Sequence, residues 1–308
     1  MKFQLLIGLL LLLGSANAQK VINVRYPVPS NEVELIPGIS VPAIEPGYTL
    51  WLPNGKETKG MIIIPFQRRD SLYQDNLIKY ALRSKLALMY TTTDNPLEFL
   101  FSDHKSKALA DDILKVCDNF KIPKNNLFFY GIALSGTRAL KLTIFIMQNK
   151  AYEDLKPRAI AISDSPLDMN RFYKLLDKPI EIPLDQLTIK EQHVTKKYLV
   201  QELDGSPTTS KARYNSYSPY TKTVRNGGNA AYFTRLPLRA YVRSNVNWAS
   251  DHAGGFDYDL SEFVHQLELL GSTKATIVEV EPGKNSLTAQ SGIDERELVR
   301  WFSDQCQF

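Results

Sequence analysis

Two glycines and a serine lie within six residues of one another in the stretch "FFYGIALSGTRAL", Phe128 to Leu140. Three aromatic residues, preceded by Leu127, stop at Gly131, and a helical period begins almost at once. Such a strand-to-helix turn can hold a nucleophilic serine at its apex, in a Gly-x-Ser-x-Gly frame. Here the frame can be set in two ways. Centred on Ala133, it has Gly131 two residues before and Ser135 two residues after, both small enough for strand and helix to pack closely. Centred on Ser135, it has Ala133 before and the β-branched Thr137 after, and Gly131 lies too early in the strand. The steric fit favours Ala133, which cannot attack a substrate; Ser135 is then a small packing residue or a helix cap.

A serine nucleophile also needs a general base held by an acid. There are four histidines. His104 and His193 fall in polar, helix-like stretches, and His265 lies within a helical period. His252, in "SDHAGG", follows a strand and is the remaining candidate. Asp164 and Asp168 in "SDSPLD", and Asp251 beside His252, are candidate acids, although aspartates beside Ser and Pro commonly cap turns. The alternative catalytic set is therefore Ser135, His252 and either Asp164 or Asp251. No His, Cys or carboxylate set has the spacing of a zinc site, and no Gly-rich phosphate loop is present. No metal and no cofactor is expected.

The elements that must position these residues alternate along the chain. "YTLWL" and "GMIIIPF" flank Pro53-Asn54-Gly55 and predict a β-hairpin. Helical periods follow at 71–85 and 105–120, with the strand 86–92 between them. The strand before Gly131 leads into a helix from 136 to about 149, and "RAIAISD" is a further buried strand. Residues 170–235 break the pattern with the loop-like run "DGSPTTSKARYNSYSPYTKTVRNGGNAAYF". "LPLRAYVRS", "DLSEFVHQLELLG", "ATIVEVE" and "DERELVRWF" then resume it as strand, helix, strand and helix. Alternation of this kind predicts an α/β fold: a mostly parallel central sheet with helices on both faces, an antiparallel edge hairpin and an inserted cap at about 170–235.

The chain has 308 residues, 44% of them hydrophobic and 23% charged, and a net charge of +4. That charge is too small and dispersed to point to nucleic acid. Residues 1–18 read as a signal peptide: Lys2, an aliphatic run to Leu13, and the Ala16-Asn17-Ala18 cleavage site, with Gln19 the first mature residue. About ten apolar residues are too few to span a bilayer. The expected mature chain, 19–308, is one exported domain, periplasmic or extracellular, with no membrane span. Cys117 and Cys306 are the only cysteines. They could pair outside the cell, but Cys117 lies on the apolar face of its helix, where a free thiol is the common outcome.

On "YGIALSGTRAL", "SDSPLD" and "PLRAYVRSNVNW" the sequence resembles the α/β-hydrolase superfamily, and in particular its exported esterase-like members. The likeness runs over nearly the whole mature chain. It implies a Ser–Asp/Glu–His triad in chain order, with the acid position at Asn245 and the base position at Thr288, in the loop after the last strand. Read this way, the three triad-equivalent positions Ala133, Asn245 and Thr288 are all altered. The resemblance further implies an oxyanion-type pocket from the amide of Leu134 and amides near Phe66 and Gln67. The cap would offer Tyr214, Tyr217, Tyr220 and Arg213 to an anionic or sugar-like small molecule or to a protein surface, although tyrosines so placed also serve simply to pack a cap. The expectation is a non-catalytic binding scaffold, with a displaced-triad serine hydrolase as the alternative.

Overall fold

A computed structural model describes residues 20–55, 57–66, 75–95, 97, 99, 102–177, 189–244, 255–281 and 292–307. Ten strands are found among them: β1 (Lys20–Arg25), β2 (Glu32–Ile36), β3 (Ile39–Pro42), β4 (Gly47–Leu52), β5 (Gly60–Ile64), β6 (Leu86–Thr92), β7 (Leu127–Ile132), β8 (Pro157–Ser163), β9 (Leu238–Arg243) and β10 (Ala275–Val280). Eight form one sheet in the order β1-β4-β6-β5-β7-β8-β9-β10, and β2 and β3 form a separate antiparallel ribbon. The first two pairings, β1 with β4 and β4 with β6, are antiparallel. All pairings from β6 to β10 are parallel.

Helices cover both faces, as a parallel sheet requires. The helices α1 (Asp75–Arg83) and α8 (Glu295–Asp304) place Leu77, Ile78, Leu298 and Phe302 on one face, against Ile62, Leu88 and Phe128. The helices α2 (Asp103–Phe120), α3 (Leu134–Gln148) and α7 (Gly255–Leu269) pack Ile113, Leu140 and Phe263 on the other, against Met61, Ile63 and Phe129. Alternate residues of one strand thus serve opposite layers, which is why β5 and β7 are apolar without a break. The mostly parallel α/β architecture expected from the alternation is present.

One expectation is corrected. The strands 48–52 and 60–66 do not form a hairpin, because β6 lies between β4 and β5 and pairs with both. The Pro-Asn-Gly turn opens a connection long enough to step over one strand position. β4 takes β1 as its other antiparallel partner. The antiparallel edge is therefore real, but β1 and β4 make it. The segment between β8 and β9 also holds more structure than its polar composition implied. It contains α4 (Met169–Leu175), α5 (Ile189–Glu202), α6 (Lys211–Tyr217) and a 3-10 stretch at Arg225–Phe233 broken at Asn226–Gly228. Phe172, Tyr198, Leu199, Tyr214 and Tyr217 give this segment its own apolar core, joined by Leu35 and Ile36 of the β2–β3 ribbon.

Cys117 is buried and Cys306 half-buried, and both are free thiols. Burial pushes the Cys117 thiol up to about 12, so it is inert as a nucleophile. Among the described residues no helix is long and apolar enough to cross a membrane.

The far end of the chain is tied back by one buried amide. Asn126, 1% exposed, donates to the carbonyls of Lys59 (2.8 Å) and Gln307 (2.9 Å) and accepts from the Gln307 amide (2.9 Å). Its own carbonyl accepts from Met61 at the start of β5. Replacing Asn126 with Ala strands these partners in a water-poor site. Asn126→Ala is expected to lower stability in urea unfolding by about 2–3 kcal/mol.

Candidate functional site

The strand order sets the place of the site before any side chain is considered. From β5 the chain crosses to β6 on one side, while β7 to β10 build outward on the other. The switch in winding direction lies between β5 and β7, and open α/β sheets bind ligands beyond the carboxyl ends of such a pair. The residues at those ends are Phe66 after β5, Ala133 after β7 and Asp164 after β8.

Ala133 occupies the apex of the turn between β7 and α3, with φ 52° and ψ −131°. A positive φ costs a non-glycine residue roughly 1–3 kcal/mol and persists only where the surroundings impose it. Here they do. Gly131 packs so closely on the start of α3 that an added Cβ would lie 2.4 Å from Gly136 N and 2.4 Å from the Ser135 carbonyl carbon. Gly136 is confined in turn, since a Cβ there would meet Ser165 Oγ at 2.0 Å. The Ala133 amide donates to Ser163 O of β8 (3.0 Å), and its carbonyl accepts from Gly136 N (3.1 Å). The turn is therefore clamped on both sides, and the methyl at its apex is exposed.

Ser135 is placed quite differently. It lies in the first turn of α3, 3% exposed, and its Oγ has no hydrogen-bond partner among the described residues. Of the other members of the alternative set, Asp164 ends β8 with φ 49° and is half-buried. Asp251 and His252 lie outside the described residues, as do Asn245, Thr288 and Gln67. Asp168 is the N-cap of α4, where its carboxylate accepts from the amides of Asn170 and Arg171. His104, His193 and His265 are all exposed on helices.

Of the oxyanion-type donors, Leu134 is the first residue of α3, so its amide is one of the four that a helix leaves without an internal acceptor. The Phe66 amide is already committed to Ile64 O at 2.8 Å. Tyr214, Tyr217 and Tyr220 are 0%, 5% and 3% exposed. Tyr214 donates to Gly205 O, and the Tyr217 ring lies tilted beside that of Phe99. Arg213 is exposed and reaches Asp204 at 3.4 Å. Leu134 packs into the same cluster as Phe172, Tyr198 and Tyr217, so the β8–β9 segment covers the residue beside the apex. Thr137 Oγ1 to Pro166 O (2.6 Å) and Lys141 Nζ to Ser216 O (3.2 Å) add polar links between α3 and that segment.

The sequence pattern left two features of this region unseen. Arg138, one turn into α3, is completely buried, and burial pulls its guanidinium down to about 9. At the base of the β8–β9 segment, Asp259 of α7 pairs with Arg171 of α4 at 2.8 Å. An arginine in an apolar helix and a pair 88 residues apart carry no periodic signature. Among the described residues no group of three or more His, Cys, Asp or Glu side chains is arranged to hold a metal ion.

No protein-family profile and no curated protein sequence matches this chain. Solved structures do resemble it. They include carboxyl esterase 2 of the mycorrhizal fungus Tuber melanosporum, at 12% identity over 95% of this chain and 89% of that one, with a TM-score of 0.60. A thermostable carboxylesterase cloned from a metagenomic library is similar at 10% identity over 96% and 94%, with a TM-score of 0.59. The esterase of Pyrobaculum calidifontis is similar at 9% identity over 98% and 91%, with a TM-score of 0.58. At such identities the likeness is one of fold, and that fold is the α/β-hydrolase fold of esterases.

The two small residues of the turn should respond oppositely to substitution. Gly131→Ala drives a methyl into helix backbone and is expected to cost about 3 kcal/mol or more. Ser135→Ala removes a buried hydroxyl that lacks a partner and supplies a better helix former. It is expected to be neutral or stabilising by about 1 kcal/mol. Thermal melts of the two variants beside the parent check both.

Proposed function

We propose that this protein is a non-catalytic member of the esterase-like α/β-hydrolases, using the cleft above the turn to bind a ligand. One observation supports this above the rest: the strained, exposed apex of the turn is Ala133, while the two hydroxyls on α3's first turn, Ser135 and Thr137, are both buried. Acyl transfer needs an oxygen nucleophile at the apex, aimed at the substrate and within reach of an imidazole. A methyl group supplies neither the lone pair nor the proton to be removed. The assignment of Asn245 and Thr288 to the acid and base positions belongs to the same proposal. Asparagine can orient a ring but cannot stabilise an imidazolium as a carboxylate does, and threonine cannot relay the proton.

What persists is a place to bind. The Leu134 amide sits at the positive end of α3, which favours a carboxylate or other anionic group. Residues 169–177 and 189–233 act as the cap over it, and the ligand is a small molecule or a protein segment. The leader at 1–18 makes the site an exported one, outside the cytoplasm. Purified mature protein is expected to begin at Gln19, which N-terminal sequencing of material secreted by its host checks.

The catalytic question is answered by a fluorophosphonate probe together with hydrolysis of a short-chain p-nitrophenyl ester. Parent and Ser135→Ala proteins, both shown folded by circular dichroism, are expected to remain unlabelled, with ester turnover at the buffer rate. Labelling of the parent that disappears in Ser135→Ala would establish a working serine hydrolase with a displaced triad and overturn the proposal.

A further inference from the structure

The segment that covers the turn leaves the sheet after β8 and is fastened where it leaves. Asp259 of α7 is 2% exposed. One of its oxygens meets Arg171 Nη1 at 2.8 Å, and the other accepts from the amides of Leu167 (3.1 Å) and Asp168 (3.4 Å). A single carboxylate thus ties α7 to the exit from β8 and to the first turn of α4. Arg171 also donates to Gly255 O at 2.7 Å and lies 4.8 Å above the Tyr258 ring. Asp168 caps α4 with one oxygen, and its other accepts from the Lys222 amide at 3.3 Å, where the segment turns back.

Among the described residues the charges around Asp259 do not balance. From α4 and its cap it faces Arg171 and Asp168, and from the returning chain Tyr220 and Lys222. Its own helix supplies Asp257, Tyr258 and Glu262. The Lys222 ammonium is taken by Glu262 at 2.8 Å, and Arg243 is paired with Asp257 at 2.5 Å. Arg171 is left as the cation in contact with Asp259, while Asp168 adds negative charge beside it. Two carboxylates and one guanidinium in a water-poor site favour a bound proton.

We infer that Asp259 is an acid-tightened clasp at the base of the cap, which holds residues 169–177 and 189–233 over the turn more firmly at acidic than at alkaline pH. The inference rests on those residues acting as a cap, and is independent of whether the turn is catalytic. Burial, with the Asp168 charge, raises the Asp259 carboxyl from 3.8 to about 6, against the opposing pull of Arg171 and the two amides. Once the cap lifts, water reaches Asp259 and its affinity for the proton returns to that of an ordinary carboxylate. The docked state therefore binds the proton more tightly, and docking strengthens as pH falls through about 6. Protonation leaves Arg171 its bonds to Gly255 O and the Tyr258 ring, and the neutral carboxyl can still accept from the amides.

Hydrogen–deuterium exchange of peptides from 169–177 and 211–222, corrected for the intrinsic pH dependence of exchange, reads the opening equilibrium. Opening in the parent is expected to be about tenfold more frequent at pH 8 than at pH 5. Asp259→Asn, close in shape to the protonated acid, is expected to remove that difference and protect the cap at pH 8 as at pH 5. Glu262→Gln, which alters only the outer pair, should keep it. The same tenfold ratio in Asp259→Asn, or no ratio in the parent, overturns the clasp. Should Asp259→Asn fail to fold, the carboxyl carbon of Asp259 in the parent decides by NMR: a midpoint near 6 supports the clasp and one near 4 removes it. Neither outcome bears on fluorophosphonate labelling, so the two proposals fail separately.

Discussion

The structure of this protein turns on one close approach, the backbone of Gly131 against the first turn of α3. With no Cβ between them, strand and helix meet at a distance that any other residue would forbid. The chain can make so sharp a reversal only by sending the apex residue into a positive-φ conformation, and the hydrogen bonds of Ala133 to Ser163 and Gly136 lock it there. The consequences spread outward. The apex is presented at the carboxyl end of the central strands, α3 is laid across the sheet, and its amino end points into the space above the winding switch.

The second organising feature is of opposite character. The β8–β9 segment is held partly by an apolar cluster containing Leu134, Phe172 and Tyr198, and partly by the largely buried polar knot of Asp168, Arg171 and Asp259. An apolar contact is tolerant of small shifts. A buried ion pair with amides aimed at it is not, because displaced charges lose their only solvation. The knot therefore sets the angle at which the β8–β9 segment leaves the sheet, and the apolar cluster supplies the attraction that holds the segment down.

Much of this was legible in the residue order, for reasons specific to each element. β5 and β7 read as strands because both faces of the sheet are covered, so every residue had to be apolar. The turn at Gly131 was visible because it tolerates only certain residue sizes, and its angles at Ala133 suit that framing. The pairing of β4 was not visible. A Pro-Asn-Gly turn between two apolar runs satisfies the local rules for a hairpin, and only the competition with β6 and β1 decides otherwise. The helices between β8 and β9 were hidden by polar composition, since a helix that packs on a few aromatics needs little else that is apolar. Arg171 and Asp259 meet only through the tertiary fold, and nothing in either neighbourhood signals the other.

The geometry also decides what holds a strained turn in place, whatever side chain its apex carries. Strain at an active site is normally held in place by the rest of the fold, and stability is regained where the strain is relaxed. At this turn relaxation is barred from outside the apex. Gly131 and Gly136 are pinned by the backbone of α3 and by Ser165, and α3 itself is fixed by the sheet on one side and the β8–β9 segment at Leu134. Exchanging the apex side chain for a methyl leaves every one of those contacts in place. The turn belongs to the architecture first, and a nucleophile is an addition that the architecture can carry or omit. That separation is what lets one fold serve as an enzyme or as a binding scaffold; in this chain the apex position carries the exposed methyl group of Ala133.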